Sequence, residues 1–220
     1  MRVWHAIGRQ LGNPQGLAGA IMGRMMRLAN DRPTRLAVAA MGVKQGDSIL
    51  DMGFGPGHAI ELIAATARVV HGIDQSDAML LQASCRNRKA IAEKRVTLAT
   101  GSFATLPYPN DWFDGILASN VAYFWHDEHA ILSEIRRVLK PGGRLCIYVT
   151  DAATMKHWRF ADGHTHRHID AGQLTDMLLH AGFDPGHIDV QSVPVTRRIN
   201  GIVAVAYAKD RMDLQALTRI

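Results

Sequence analysis

The sequence predicts an α/β fold: a seven-stranded, mostly parallel sheet with helices on both faces. Three observations predict it. From residue 48 onward, apolar runs of strand length alternate with stretches of helical periodicity, the signature of repeated βαβ units. The segment Ser48 to Ile60, SILDMGFGPGHAI, passes from an apolar strand through an acid and a glycine-rich turn into a helix. Two closing apolar runs, His187 to Val193 and Ile202 to Ala208, lie close enough in sequence to pair antiparallel.

Length and composition bound the rest. The chain has 220 residues, enough for one sizeable domain with a full core. That domain is expected over 45–210, after a helical lid or extension over 1–44 and before a short tail over 211–220. The net charge of +5 comes from scattered basic residues, too modest to argue for a nucleic-acid partner. There is no apolar run of 18 residues or more, so no membrane-spanning segment is expected, and the start, MRVWHAIGRQLG, lacks the apolar stretch of a signal peptide. The two cysteines, Cys85 and Cys146, stand 61 positions apart; they read as reduced thiols of a cytoplasmic protein.

The elements follow in order. Leu17, Ile21, Met25 and Leu28 repeat at helical spacing, between Asn13-Pro14 and Asn30-Asp31. A second helix is expected from Pro33 to Met41, before Gly42. The first of these, rich in Met22, Met25 and Met26, has three readings: packing against the sheet, a substrate lid with a soft apolar surface, or peripheral membrane contact. Strands follow at Ile49 to Met52, Arg68 to Ile73, Val96 to Ala99, Phe113 to Ser119 and Arg144 to Val149. The helices between them are expected from about Gly57 or His58, over Ser76 to Ile91 with Ser76 or Asp77 as cap, over His126 to Lys140 with a stop at Pro141-Gly142-Gly143, and over Asp170 to Ala181.

The glycine loop directs the functional reading. No lysine follows its glycines, so it is no Walker loop, and the third glycine of a dinucleotide fingerprint would fall at His58. The pattern present is D-x-G-x-G-P-G, with Asp51 two residues before Gly53 and with Gly55 and Gly57 following. Asp74 lies 23 residues after Asp51, at the end of the second strand; a carboxylate there suits the two hydroxyls of a ribose. Downstream stand Gly101-Ser102-Phe103 with Leu106-Pro107-Tyr108, the segment FDGILASNVAYFW from Phe113 to Trp125, and Leu139-Lys140-Pro141-Gly142-Gly143-Arg144-Leu145. In this order and spacing, over residues 45–208, the motifs resemble those of class I S-adenosylmethionine-dependent methyltransferases, of the small-molecule methyltransferase type 11 group. The resemblance implies a Rossmann-like methyltransferase fold whose sheet has one antiparallel strand, and S-adenosyl-L-methionine as cofactor. It implies that Asp51, Gly53, Phe54, Gly55 and Gly57 hold the methionine part, Asp74 the ribose, and Ser102 and Phe103 the adenine. Gln75, Met79 and Asn120 line the same site. Ser102 is a departure, since the family often has an aspartate there.

A methyl group on a sulfonium is already activated, so the enzyme mainly holds a nucleophile in line and excludes water. Substrate residues are expected at the carboxyl ends of the strands. Tyr123 and Trp125 read either as aromatic walls of an acceptor pocket or as core packing. His126 reads as a general base or as the cap region of a helix. Asn120-Val121-Ala122-Tyr123 has the spacing of an N-P-P-Y motif without its prolines. Residues 151–169 carry Trp158 and the H-x-H-x-H run His164, His166 and His168. This stretch reads as a polar loop or as the source of a base such as His166; no acid or cysteine completes a metal site, so no metal is expected. Candidate catalytic residues are therefore His126, Tyr123 and His166, and candidate substrate contacts are Met25, Met26, Tyr123, Trp125 and Trp158. The acceptor is expected to be small or lipid-like. Other readings are an RNA or protein methyltransferase, favoured if Arg24, Arg27, Arg136 and Arg137 form a basic patch, an inactive binding module of the same fold, and a nicotinamide oxidoreductase.

Overall fold

The computed structural model describes residues 30–158, 160–161 and 165–209. The expected methionine-rich helix with Met25 and Met26, the tail 211–220 and His164 lie outside the described residues. The chain enters as a helix over 30–41, α1. It continues through β1 (Ser48–Met52), α2 (His58–Ala64), β2 (Val69–Asp74), α3 (Asp77–Arg86), α4 (Arg88–Ala92), β3 (Val96–Thr100) and β4 (Phe113–Ser119). Then come α5 (Glu128–Val138), β5 (Leu139–Thr150), the short α6 (Ala152–Met155), α7 (Ala171–His180), β6 (Ile188–Pro194) and β7 (Asn200–Tyr207).

The seven strands form one sheet in the order β3-β2-β1-β4-β5-β7-β6. β7 runs antiparallel to both its neighbours, β5 and β6, and the other strand pairs described are parallel. Neighbouring residues of one strand feed opposite faces of the sheet. Ile49, Leu117 and Tyr148 pack with Ala37 and Met41 of α1 and with Ile60, Ile63, Met79 and Ala83 of α2 and α3. Leu50, Ala118 and Ile147 pack with Ile131, Leu132 and Ile135 of α5 and Leu174 and Leu178 of α7. Both faces are thus covered, which is why every residue of β1 is buried and why the central strands read as unbroken apolar runs.

Some predicted boundaries are corrected. Residues 30–32 are already helical, so the helix expected from Pro33 starts earlier; the Asp31 carboxylate is taken up by Arg35 Nε at 3.1 Å and faces His58 Nε2 at 2.9 Å. The helix expected over Ser76 to Ile91 is broken at Asn87. The Asn87 side chain turns back to donate to the carbonyls of Gly57 and Ala83. The helix expected from His126 starts at Glu128 instead, because Asp127 supplies the N-cap and accepts the Ala130 N–H. A 3-10 turn, Ala122–Phe124, precedes it. The Lys140 to Gly143 stretch does not lie between helix and strand as a turn. It forms the irregular entry of β5, where the pairing with β4 shifts between Phe113 and Gly115.

Candidate active site

The strand order reverses between β1 and β4, and a cleft opens at the carboxyl ends of β1, β2 and β4, where open α/β sheets bind ligands. The glycine loop forms one wall. Gly53 N–H donates to the Ile73 carbonyl at 2.7 Å and Gly57 N–H to that of Phe54 at 3.0 Å. Gly55 donates to Asp74 Oδ2 at 2.9 Å. A Cβ on Gly55 would meet nothing within 4 Å, so at this residue the backbone borders open cleft. Gly57 differs: it does not line the cleft, and a Cβ there would sit 2.7 Å from Ala83 Cβ and Asn87 Nδ2. Its lack of a side chain seats α2 against α3.

Two buried carboxylates share the cleft. Asp74 accepts the Gly55 N–H on Oδ2 and the Ser76 N–H on Oδ1, each at 2.9 Å. The Gln75 N–H also bonds to this carboxylate, whose remaining acceptor capacity is left for a ribose hydroxyl. Burial raises its carboxyl above the ordinary range, against the lowering effect of the backbone N–H donors. Asp51 is 1% exposed, and its Oδ2 has no hydrogen-bond partner among the described residues. Burial, with the charge of Asp74 adding to it, pushes the Asp51 carboxyl up to about 8. An orphaned buried carboxylate is costly unless a cation or donor arrives. A ligand with an ammonium group, a ribose and a need for close backbone approach fits Asp51, Asp74 and Gly55 together, as S-adenosylmethionine requires.

The remaining predicted residues divide. Phe54, Gly53, Gln75, Met79, Phe103 and Asn120 line the cleft. Ser102 does not; it is exposed, and its Oγ accepts the Ala104 N–H at 3.2 Å, shaping a turn. Tyr123 is buried just behind the cleft, hydrogen-bonded to Asn120 Oδ1 at 2.8 Å and to the Thr150 N–H at 2.5 Å. Burial raises its phenol far above the ordinary range. Trp125 is 2% exposed inside the core with α5, so it packs and forms no wall. His126 is exposed and does not line the cleft. His166 is buried among aromatic rings, 4.7 Å from Phe124 and 5.9 Å from Tyr123 between centroids, and Trp158 stacks on Phe160 at 5.4 Å. Of the H-x-H-x-H run, His168 Nε2 meets the Ala161 carbonyl at 2.6 Å.

Sequence reasoning missed Asn30 and Thr34 of α1, Pro56, His58 and Ala59 beside the loop, and Ser119, Val121 and Phe124 after β4, all of which line the cleft. The rule that ligands sit at carboxyl strand ends reaches Ser119. Nothing local marks Asn30 or Thr34, which arrive by long-range packing of α1. Of the anticipated basic patch, Arg136 and Arg137 are described, and both are engaged within the fold. Arg137 is engaged by Glu134 and by the carbonyls of Leu106 and Tyr108. Arg136 donates to the carbonyls of Ala181 and Gly182 and covers the Phe183 ring. Arg24 and Arg27 lie outside the described residues.

Comparison with known proteins agrees with this geometry. Residues 50–147 match the family described as "Methyltransferase domain". An uncharacterized methyltransferase of Bacillus subtilis, YdaC, is 36% identical over 129 residues, 58% of this chain and 69% of that protein. The 27-O-demethylrifamycin SV methyltransferase of Amycolatopsis mediterranei is 32% identical over 54% of this chain and 44% of its own. The chain therefore spans about two thirds of the first relative and less than half of the second. Among solved structures, a chain from the complex of the Haloferax volcanii Trm112 methyltransferase activator with a methyltransferase superposes with TM-score 0.73. That match covers 85% of this chain and 93% of the other, at 21% identity, a likeness that shows the fold alone.

Proposed function

Because the chain belongs to the class I S-adenosylmethionine-dependent methyltransferases of the type 11 group, we propose that it methylates a small, uncharged or lipid-like acceptor. One observation carries the reading. Both carboxylates of the cleft have work in holding the cofactor, and the wall beyond them is largely uncharged, made by Phe54, Phe103, Val121 and Phe124. A relative acting on 27-O-demethylrifamycin SV supports a small-molecule acceptor. The two arginines of the expected patch that are described are engaged within the fold, which favours such an acceptor over a nucleic acid. The free thiols of Cys85 and Cys146 suit the reducing cytoplasm.

The cofactor supplies a methyl group activated by its sulfonium. The protein holds the ammonium at Asp51 and the ribose at Asp74, and the apolar wall excludes water from the acceptor. Neither Tyr123 nor His166 is proposed as a general base: Tyr123 is buried and hydrogen-bonded to Asn120 and Thr150, and the His166 ring is packed among aromatics. Rate enhancement then rests on proximity and orientation. Calorimetric titration with S-adenosylhomocysteine, with NADH in a parallel cell, tests the cofactor; binding of the first alone is expected. Labelled methyl donor offered with a cell extract tests the acceptor. Label should appear in the organic-soluble, low-mass fraction, and label confined to RNA or protein would overturn the proposal.

A further inference from the structure

His58 opens α2 directly after Gly57 and lines the cleft together with Asn30 and Thr34 of α1. Each of its ring nitrogens faces a carboxylate. Nε2 stands 2.9 Å from Asp31 Oδ1 on α1, and Nδ1 stands 3.6 Å from Glu61 Oε2, three residues on in α2. Both nitrogens are buried, and neither makes a well-formed hydrogen bond among the described residues. A neutral imidazole has one N–H, so between two carboxylates it turns a lone pair toward one of them. Only the imidazolium offers a proton to each. A cation at a helix start runs against the helix dipole, and the two carboxylates offset that. Other partners keep both of them charged. Arg35 Nε donates to Asp31 Oδ2 at 3.1 Å, and this contact, with His58 adding to it, holds the Asp31 carboxyl below its ordinary range. Partial burial would raise Glu61, but Arg86 Nη1 at 2.7 Å, again with His58, holds it below its ordinary range. The same cleft contains the carboxylates of Asp51 and Asp74.

The imidazole thus bridges two elements that are distant in sequence. α1 packs on the sheet through Ala37 and Met41 and is pinned at its far end by Arg144, which donates to the carbonyls of Met41 and Gly42. At its cleft end, the ion contact of α1 to another element, among the described residues, is that of Asp31 with His58. We propose that protonated His58 is a clamp that ties the cleft end of α1 to α2, seats Asn30 and Thr34 at the cleft, and so couples cofactor affinity to pH. For its ligand the inference rests on the family reading above. Imidazole is the side chain that ordinarily changes charge near neutrality, and the coupling has a definite sign. At lower pH the clamp is closed and contributes to cofactor binding; as pH rises, His58 loses its second proton donor, Asp31 is released, and that contribution is lost. By linkage, bound cofactor favours the closed clamp by the same factor. This runs opposite to the effect of ionising Asp51, so only a comparison between variants isolates it.

The test uses His58→Gln, Asp31→Asn and the double variant, each read in two ways at about pH 5.5 and about pH 8, on either side of ordinary imidazole titration. The first readout needs no ligand: hydrogen exchange of the α1 amides, corrected for intrinsic rates. In the wild type their protection should be about threefold higher at the lower pH, the size of a partly exposed ion pair, and in the variants it should not change with pH. The second is calorimetric titration with S-adenosylhomocysteine. Asp51 titrates in wild type and variants alike, so the ratio of their affinities reports on the clamp. The wild type should bind about threefold tighter than any variant at the lower pH and within about 1.5-fold at the higher. The double variant should lose no more than either single one, because the two side chains act as one contact. A ratio that is the same at both pH values marks His58 as merely structural and overturns the proposal, as does wild-type protection of α1 that ignores pH. If His58→Gln does not fold, Asp31→Asn, at a half-exposed carboxylate, decides by the same two readouts. A wild type that binds no S-adenosylhomocysteine at either pH strikes the family reading, while hydrogen exchange still decides whether the clamp exists.

Discussion

At the scale of single residues, Asp51 is the most informative side chain. It is buried beside another carboxylate and raised to about 8, so below that pH the free protein holds it largely protonated. A cationic ligand group needs it ionised. Between pH 6 and 8, S-adenosylhomocysteine affinity should therefore rise by up to about tenfold per pH unit, with close to one proton released on binding near pH 6. Titrations in two buffers of different ionisation enthalpy count that proton directly. Asp51→Asn should bind weakly and lose the slope, and a pH-independent wild type would show that Asp51 is already charged. The linked stability has a definite sign. The folded carboxyl lies above its ordinary 3.8, so its contribution is fully present below that value and is lost as pH rises through about 8. Melts of the ligand-free protein should fall across that window. Asp51 was legible as a site residue because an acid before G-x-G is informative in itself. That its second oxygen is orphaned was not legible, since that depends on everything packed around it.

At the scale of elements, the glycine loop shows how one pattern hides different tasks. Gly55 and Gly57 are two residues apart, and both have positive φ, 51° and 80°. A methyl added at Gly57 would lie 2.8 Å from Ala83 Cα, a backbone atom that moves only if α3 does. Gly57→Ala should cost about 2–5 kcal/mol, from left-handed strain and overpacking together. Gly55→Ala should cost only about 1–2 kcal/mol from strain, yet weaken S-adenosylhomocysteine because its Cβ projects into the cleft. Denaturant unfolding and ligand titration on both variants separate the two tasks; equal stability losses would refute the division. The G-x-G-x-G spacing predicted the turn but could not say which glycine faces ligand and which faces a helix. The same limit explains α3 and α4. Helical periodicity ran unbroken from Ser76 to Ile91, while the break at Asn87 comes from its side chain reaching the Gly57 carbonyl 30 residues away.

At the scale of the whole molecule, the sheet was legible because its motifs arrive in order and each marks a strand end. What was not legible is how α1 joins it. Periodicity announces an apolar face, here Ala37 and Met41, but not the surface it covers. The joint is Arg144, read from sequence as the first residue of the fifth strand and part of the motif that leads into it. It is 7% exposed and pairs with the equally buried Asp47 at 2.6 Å. It also donates to the carbonyls of Met41, Gly42 and Asp114. One guanidinium thus binds the end of α1, the entry of β1 and β4 at the end of the sheet remote from the cleft. The described part of α1, 12 residues, reaches the length of about 18 Å expected of such a helix, and its other end brings Asn30 and Thr34 to the cleft. Arg144→Met leaves Asp47 buried without its partner and three carbonyls without their donor, and should lower unfolding free energy by about 3–5 kcal/mol. Adding Asp47→Leu removes the stranded charge, so the double variant should recover part of that loss, the expected non-additivity of paired groups. Chemical denaturation of the two single variants and the double variant measures the coupling directly. Strictly additive losses would mean that Arg144 stabilises α1 through its carbonyl contacts alone, with the ion pair contributing nothing.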